Sequence, residues 1–219
     1  MTGVATAGTS VRILLVDDHP VVRLGLRHLL ADAFTGATIQ ESGSAAETTA
    51  LVARGAWDVV ILDLTLPDGS GLDVLKHIRT MNPHLPVLIL SIHTADQFGR
   101  RALAAGASGY VRKDAADAEL VTAVTRVLKG GKHFNHALLE HIALGLHPDA
   151  VGPPHERLSD REYQVLRMIG YGQTVSEIAA ELKLSIKTIS TYRARVLEKM
   201  DMRTNAELIL YCVRAGLSE

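Results

Sequence analysis

Cysteine is almost absent from this sequence, which has one, Cys212, among 219 residues. A single cysteine excludes an intramolecular disulfide framework and suits a reducing, cytoplasmic compartment. Cys212 lies in the apolar run LILYCV, where a small core residue is a better interpretation than a reactive thiol. The sequence therefore predicts a protein stabilised by packed cores, for which its apolar residues, 47% of the total, are sufficient.

Charge imbalance and long apolar runs are missing as well. The formal net charge is −1, so no global field attracts the chain to nucleic acid or membrane, although one local basic face is enough for DNA binding. No run of about 18 apolar residues is present, so we expect no membrane span. The start, MTGVATAGTS, lacks a basic region and a long apolar segment, and we expect a loose tail over residues 1–10 rather than a signal peptide.

Up to about residue 130, apolar strand-like runs alternate with amphipathic helical stretches. The strand candidates are RILLV (12–16), TIQES (38–42), DVVILDL (58–64), PVLIL (86–90) and GYV (109–111). Continuous Val, Ile and Leu runs, rather than alternation, are typical of strands buried on both faces. Five strand-helix units in this order predict an α/β fold, a five-stranded parallel doubly wound sheet over residues 11–130.

The pattern changes after residue 130. Residues 131–155 contain HALLEHIALGL, a possible short helix, and then three prolines, Pro148, Pro153 and Pro154. Such a proline-rich stretch is typical of an interdomain linker.

Every element from residue 156 to 219 looks helical, with helices expected at about 160–170, 175–182, 186–200 and 205–215. Three of the starts have the capping-box pattern: Ser159/Glu162, Thr174/Glu177 and Thr204/Glu207. Ser185 is a plain N-cap for the remaining helix. The second and third helices are short and tightly connected, which predicts a small all-α four-helix domain with a helix-turn-helix.

Polar residues stand where the predicted strands end. Asp63 ends the strongest strand, Asp17 and Asp18 follow the first, Ser91 follows PVLIL, and Lys113 comes just past GYV. These ends meet at one rim of a parallel sheet. Neighbouring carboxylates repel or bind a cation, for which Mg²⁺ is suited, and an aspartate can accept a phosphoryl group. Each residue alone has a structural interpretation, as a cap or a surface lysine, but the set of five favours a phosphoryl-accepting site.

Four motifs carry a resemblance to a known family: LVDDHPVVRLGLRHLL, DVVILDLTLPDGSG, LSIHT and GASGYVRKD. In their order and spacing, residues 11–130 resemble the receiver domain of two-component response regulators. Residues 156–219, from LSDREYQVL to NAELILY, resemble the LuxR-type helix-turn-helix domain. The pair resembles the architecture of NarL/FixJ-type response regulators.

The resemblance implies roles for the residues at the strand ends. Asp63 would be the phosphoacceptor, Ser91 would hydrogen-bond the phosphoryl oxygen and Lys113 would pair with it. Tyr110 would be an aromatic switch that turns inward with Ser91; the alternative is a plain half-buried aromatic residue.

The resemblance also implies a cofactor, Mg²⁺, held by Asp17, Asp18, Asp63 and the carbonyl of Thr65. The resemblance further implies that Thr65 and His93, two residues after Asp63 and Ser91, border the path of the attacking water, so we hypothesise that they tune the lifetime of the acyl phosphate. The alternative is that both are solvent-exposed loop residues.

The resemblance places the third predicted helix, Ile186 to Met200, in the major groove, with Ile189, Val196 and Met200 on its apolar side. Base contacts are expected from Ser190, Thr191 and Ala194, with Arg193 as a further candidate, and phosphate contacts from basic and hydroxyl side chains. The full set of predicted DNA-binding residues is Thr174, Ser176, Lys187, Thr188, Ser190, Thr191, Arg193, Ala194, Arg195 and Lys199.

The predicted function follows from both resemblances. A sensor histidine kinase would phosphorylate Asp63, and the protein, a homodimer once phosphorylated and not an enzyme, would bind promoter DNA and regulate transcription. Three alternatives stay open. One is a phosphohydrolase of the haloacid dehalogenase type, which needs a second aspartate where this chain has Thr65. The others are a constitutive DNA-binding protein with a vestigial receiver and a scaffold whose helices bind only protein.

Overall fold

The computed structural model describes residues 10–92, 95–134 and 153–217. The chain divides into two compact units, one containing the described residues 10–134 and the other residues 153–217. Most of the predicted tail, His93, and the central part of the predicted linker with its possible helix lie outside the described residues. The predicted domain bounds, 1–10, 11–130, 131–155 and 156–219, stay predictions.

The first unit is a five-stranded parallel sheet covered by helices, which confirms the predicted fold. In chain order, its elements are β1 (Arg12–Val16), α1 (Pro20–Ala33), β2 (Thr38–Ser42), α2 (Ala45–Arg54), β3 (Val59–Asp63), β4 (Thr65–Leu66), β5 (Gly69–Ser70), α3 (Gly71–Met81), β6 (Val87–Ser91), α4 (Ala95–Ala104), β7 (Gly109–Arg112) and α5 (Ala116–Leu128). The strand order in the sheet is β2-β1-β3-β6-β7. The short strands β4 and β5 form a separate hairpin.

Burial on both faces explains the continuous apolar strands. All five residues of β3 and of β6 are buried. On one face, Ile13 and Ile61 pack with Leu30 of α1 and Val124 of α5 in a single apolar cluster. α2 and α3 contact each other on the opposite face. β2 lies at an edge and alternates exposed and partly buried residues, so its sequence signal is weaker.

The element ends differ slightly from those that the sequence predicts. Ser91 is the last residue of β6 rather than the residue after it, and Lys113 begins a 3-10 turn, Lys113–Ala115. The β4–β5 hairpin was not predicted, because two-residue strands have no periodicity to detect.

The second unit is helical, as predicted. It contains a 3-10 turn (Pro154–Arg157), α6 (Asp160–Gly170), α7 (Val175–Glu181), α8 (Ile186–Lys199) and α9 (Asn205–Arg214). Of the helices in the described ranges, none has the length and apolarity needed to cross a membrane.

Two of the three predicted capping boxes form, at Ser159/Glu162 and at Thr174/Glu177. The third prediction was wrong in part. Thr204 accepts from the N–H of Glu207 at 3.2 Å, but the Glu207 carboxylate accepts from the N–H of Arg203, one residue before the cap, at 2.7 Å. Ser185 is an N-cap as predicted, and its side chain accepts from the N–H of Thr188 at 3.0 Å.

The core of the second unit contains Cys212, which is fully buried. Its thiol donates to the carbonyl of Leu166, and burial raises its pKa to about 11 although Arg167 lowers it. The interpretation of Cys212 as a core residue is therefore confirmed. Arg167 is itself buried, and its Nε donates to the carbonyl of Leu217 at 2.9 Å, which joins α6 to the chain after α9.

Candidate acidic centre and nucleic-acid interface

An acidic centre lies at the carboxyl ends of β1 and β3. Asp17 and Asp18 follow β1, and Asp63 ends the neighbouring strand β3. Ligand atoms of these three carboxylates and of the His19 ring lie within 4.8 Å of one another. The side chains of Asp17 and Asp63 are 0% and 3% exposed, so two of the carboxylates are withdrawn from water.

Lys113 connects the two buried carboxylates. Its Nζ lies 2.6 Å from Asp17 Oδ2 and 2.8 Å from Asp63 Oδ2. Burial raises the pKa of Asp63 to about 6, an effect that Lys113 reduces and Asp17 adds to. Burial alone would lower the pKa of Lys113, but the carboxylates of Asp63 and Asp17 outweigh it and raise that pKa. The Lys113 ammonium group thus stays charged between the carboxyl groups of Asp17 and Asp63.

The Asp63 carboxylate is held in one orientation. Its Oδ1 accepts from the N–H of Thr65 at 3.1 Å, while Oδ2 accepts from Lys113. Gly71 packs against the end of this strand, where an added Cβ would lie 2.1 Å from the Asp63 carbonyl oxygen. A residue larger than glycine at position 71 would therefore displace the residue that carries the carboxylate.

The donor set fits a hard divalent cation. Lys113 pairs with two of the three carboxylates, so negative charge is left in excess, and carboxylate oxygens are the ligands that Mg²⁺ prefers. His19 Nδ1 lies 2.7 Å from Asp18 Oδ1 and 3.2 Å from Asp17 Oδ1, and so contacts the same oxygens.

Ser91 lies beside the acidic centre, and Tyr110 lies one strand further out, on β7, opposite Ile89 of β6. In the sheet, Asp63 is opposite Leu90, which places the fully buried Ser91 one residue further along the neighbouring strand β6. Tyr110 on β7 is 4% exposed, and its backbone N–H donates to the carbonyl of His133 at 2.8 Å. Tyr110 is therefore buried rather than half-buried.

Helix α8 presents a polar face. Ile189 and Val196 are fully buried against the rest of the unit. Six of the predicted DNA-binding residues are exposed on this helix: Lys187, Ser190, Thr191, Ala194, Arg195 and Lys199.

Four of the predicted DNA-binding residues of α8 have hydrogen-bond partners within the unit, among them Thr191, whose hydroxyl donates to the carbonyl of Lys187 at 3.0 Å. Lys199 Nζ donates to Glu162 Oε2 at 2.6 Å, and Arg193 Nε donates to Asn205 Oδ1 at 2.5 Å. The Thr188 hydroxyl lies 2.8 Å from the Ser185 hydroxyl.

Thr174 and Ser176 lie at the start of α7 and are both exposed. The Thr174 hydroxyl donates to Glu177 Oε2 at 2.8 Å as part of the capping box, so its proton is already used.

Two family models match the chain. The one described as "Response regulator receiver domain" matches residues 13–125, and the one described as "Bacterial regulatory proteins, luxR family" matches residues 156–212. The chain belongs to the response regulator family. It is a DNA-binding two-component response regulator of the NarL/FixJ type, with a receiver domain and a LuxR-type helix-turn-helix domain.

This response regulator is similar to curated proteins along almost its whole length. It is 33% identical to the response regulator UvrY of Escherichia coli over 94% of this chain and 95% of that protein. It is 38% identical to the transcriptional activator protein ExaE of Pseudomonas putida over 94% of this chain and 97% of that protein.

Solved structures show the same similarity. RcsB from Salmonella enterica serovar Typhimurium, bound to promoter rprA in the presence of the phosphomimetic BeF3⁻, is 27% identical with a TM-score of 0.61, over 93% of this chain and 99% of that chain. A LuxR-family response regulator from an Aurantimonas species is 37% identical with a TM-score of 0.56, over 62% of this chain and 97% of that chain.

Sequence reasoning missed several residues of the receiver site. Arg23 donates to the carbonyl oxygen of Asp17, and His19 contacts two of the carboxylates. Asp68 accepts two backbone hydrogen bonds from the start of α2. An imidazole next to Asp18 was a detectable signal, whereas the contacts of Asp68 are with residues 22 and 23 positions away.

Proposed function

We propose that this response regulator is switched by phosphorylation of Asp63, which a sensor histidine kinase supplies, and that the switch controls promoter binding by a homodimer in the cytoplasm. The observation that carries the proposal is the position of Lys113, with its ammonium group 2.8 Å from Asp63 Oδ2 and 2.6 Å from Asp17 Oδ2. This arrangement suits phosphoryl transfer, which depends on positioning and on positive charge around the transferred group.

In the proposed step, an Asp63 carboxylate oxygen forms a bond to phosphorus while the bond from phosphorus to the donor breaks. The electron pair of that bond leaves with the donor. Lys113 pairs with a phosphoryl oxygen, and the Ser91 hydroxyl donates to another. Asp17, Asp18, Asp63 and the Thr65 carbonyl would hold Mg²⁺, which would supply further positive charge.

Tyr110 is proposed to carry the change away from the site. Its ring is buried, and its strand lies beside β6, which ends at Ser91. A shift of Ser91 towards the phosphoryl group changes the space around Tyr110, and a few kcal/mol suffices to move a two-state equilibrium substantially. Loss of a phosphoryl group by hydrolysis is proposed to depend on Thr65 and His93, although His93 lies outside the described residues.

The exposed face of α8 is proposed to enter the major groove. Lys187 and Arg195 contact phosphates, and Ser190, Thr191 and Ala194 approach base edges. The exposed hydroxyl residues at the start of α7, Thr174 and Ser176, are proposed phosphate contacts, of which Thr174 would have to exchange its bond to Glu177 for the phosphate. Thr188, Arg193 and Lys199 complete the proposed set, but their partners within the unit make them weaker candidates.

The test compares the wild type with Asp63→Ala. Each protein is treated with acetyl phosphate and Mg²⁺, and its intact mass, oligomeric state and affinity for its own promoter DNA are measured. We expect the wild type to gain one phosphoryl group, dimerise and bind DNA more tightly, and Asp63→Ala to do none of these.

Two outcomes would contradict the proposal. A wild type that is never modified yet binds DNA equally well would favour a constitutive regulator with a vestigial receiver. DNA affinity that does not fall with rising salt would favour a protein-binding scaffold, because phosphate contacts release counterions. The phosphohydrolase alternative lacks its general acid, since Thr65 stands at the required position.

A further inference from the structure

The chain between Asp63 and α3 folds into a small hairpin, here called the site hairpin, residues 65–70. Thr65 pairs with Ser70 and Leu66 with Gly69, which leaves Pro67 and Asp68 at the turn. The N–H of Thr65, the first residue of the hairpin, donates to Asp63 Oδ1 at 3.1 Å. The site hairpin therefore contributes one of the two contacts that orient the Asp63 carboxylate, the other being Lys113 at Oδ2.

Asp68 joins the turn of the site hairpin to helix α2. Its Oδ1 accepts from the N–H of Ala45 at 2.7 Å, and its Oδ2 accepts from the N–H of Ala46 at 2.9 Å. Ala45 and Ala46 are the first two residues of the helix, and N–H groups there have no partner within a helix. The carboxylate is also favoured by the helix dipole, so both bonds are of the strong, charge-assisted kind.

Close packing fixes the site hairpin further. A Cβ added at Gly69 would lie 2.9 Å from Ala45 Cβ, so the second strand of the hairpin lies directly against the first turn of α2. On the other side, the Ser70 hydroxyl accepts from the N–H of Leu72 at 3.2 Å and caps α3. The site hairpin is thus held between two helices, and Asp68 supplies the hydrogen bonds to one of them.

We infer that Asp68 is a positioning residue for the phosphoacceptor: it holds the site hairpin on α2 so that the Thr65 N–H keeps Asp63 aligned. This inference rests on the proposed function, in which Asp63 attacks phosphorus. Alignment matters because displacement of a reacting group by about 1 Å can lower a rate by about a hundredfold. In this inference Asp68 acts on Asp63 through Thr65.

The test pairs Asp68→Ala with Ser44→Ala. Ser44 caps the same helix, accepting from the N–H of Glu47 at 3.2 Å, and its hydrogen bonds are to residues 42–48 rather than to the site hairpin. Both substitutions remove hydrogen bonds at the start of α2, so we expect similar decreases in Tm. Only Asp68→Ala is expected to accelerate hydrogen exchange at the Thr65 amide, measured by NMR.

Phosphorylation by acetyl phosphate gives the functional readout. We expect Asp68→Ala to lower the maximal rate about tenfold with little change in the half-saturating donor concentration, and Ser44→Ala to change it less than about twofold. The maximal rate of Asp68→Asn should lie between those of the wild type and Asp68→Ala. Its amide has one oxygen that can accept a hydrogen bond, whereas the carboxylate has two. If Asp68→Ala does not fold, Asp68→Asn takes its place in each comparison.

The inference is overturned if Asp68→Ala and Ser44→Ala change Thr65 exchange and the maximal rate equally. A failure of the proposed function is visible separately, because the wild type then gains no phosphoryl group. In that case Thr65 exchange still decides whether Asp68 holds the site hairpin.

Discussion

Lys199 on α8 donates to Glu162 on α6 at 2.6 Å, and the same Glu162 oxygen accepts from the N–H of Ser159 at 2.7 Å. The Glu162 carboxylate therefore completes the capping box of α6 and also connects α6 to α8, the candidate DNA-binding helix. The Glu162 side chain is 3% exposed, whereas that of Lys199 is 41% exposed. This pair stabilises the second unit. It also means that one of the positive charges on α8, that of Lys199, is already paired with a carboxylate.

Glu162→Gln is expected to destabilise the second unit by about 1 to 2 kcal/mol, because a hydrogen bond to a charged group is replaced by one to a neutral amide. The measurement is the urea concentration at the midpoint of unfolding, with the loss of helix monitored by circular dichroism. Glu177→Gln is the matched control, since Glu177 completes the other capping box but is exposed. Equal effects of the two substitutions would show that Lys199 adds nothing.

The same carboxylate predicts a pH dependence. Burial would raise the pKa of Glu162, but hydrogen bonds from Lys199 and Ser159 outweigh it and lower that pKa below its usual range. A depressed pKa contributes stability that is present above the unfolded pKa and is lost as the pH falls through the folded one. The unfolding free energy of the wild type should therefore fall more steeply between about pH 6 and about pH 3 than that of Glu162→Gln. Parallel pH profiles would refute this.

The strands and carboxylates of the receiver site could be predicted from the sequence better than the hydrogen bonds that hold them in place. Continuous apolar runs identified β1, β3 and β6, and parallel topology then required Asp17 and Asp63 to meet at one rim, as they do. Strand ends differed by a residue, because hydrogen bonding rather than apolarity decides where a strand stops.

Contacts between distant segments were beyond prediction. Asp68 bonds to residues 22 and 23 positions away, and Glu162 bonds to Lys199 over 37 positions. Such pairs depend on how helices and loops pack in three dimensions. A charged residue in a loop or on a helix face carries no sequence signal of which distant partner it meets.

Cys212 is expected to be inert in the folded protein. Burial raises its pKa to about 11, so almost no thiolate is present near neutral pH, and the sulfur is also inaccessible. Native protein incubated with iodoacetamide should keep its mass, and protein unfolded in urea should gain one adduct. Rapid labelling under native conditions would show that the second unit opens readily.

Gly109→Ala is expected to loosen the chain that follows α5. The segment lies so close to β7 that a Cβ at position 109 would be 2.7 Å from the His133 carbonyl oxygen. The N–H of His133 donates to Ser108 at 2.9 Å and that of Tyr110 donates to His133 at 2.8 Å. We expect faster amide exchange at Tyr110 and His133, and a loss of about 1 to 3 kcal/mol, since overpacking displaces the backbone.

Gly25→Ala is the control for that substitution. Gly25 lies within α1, and beyond its chain neighbours and the backbone of its own helix no atom lies within 4 Å of an added Cβ. Alanine there should stabilise the first unit by about 0.5 to 1 kcal/mol and leave exchange at Tyr110 and His133 unchanged. Unchanged exchange in Gly109→Ala as well would mean that the segment adjusts without losing its bonds.

Arg195 and Lys199 lie on the same helix and should behave differently towards DNA. Arg195 is exposed on the polar face of α8, whereas Lys199 is paired with Glu162. We expect Arg195→Ala to weaken binding of the phosphorylated protein to its promoter DNA and to reduce the slope of log K against log salt by about one, as the loss of one phosphate contact does. Lys199→Ala should lower the urea midpoint of the second unit and change that slope less than Arg195→Ala does, because Lys199 is paired with Glu162. If Lys199→Ala reduces the slope as much as Arg195→Ala, then Lys199 leaves Glu162 when DNA binds. The carboxylate would then be a competitor for the phosphate as well as a structural partner.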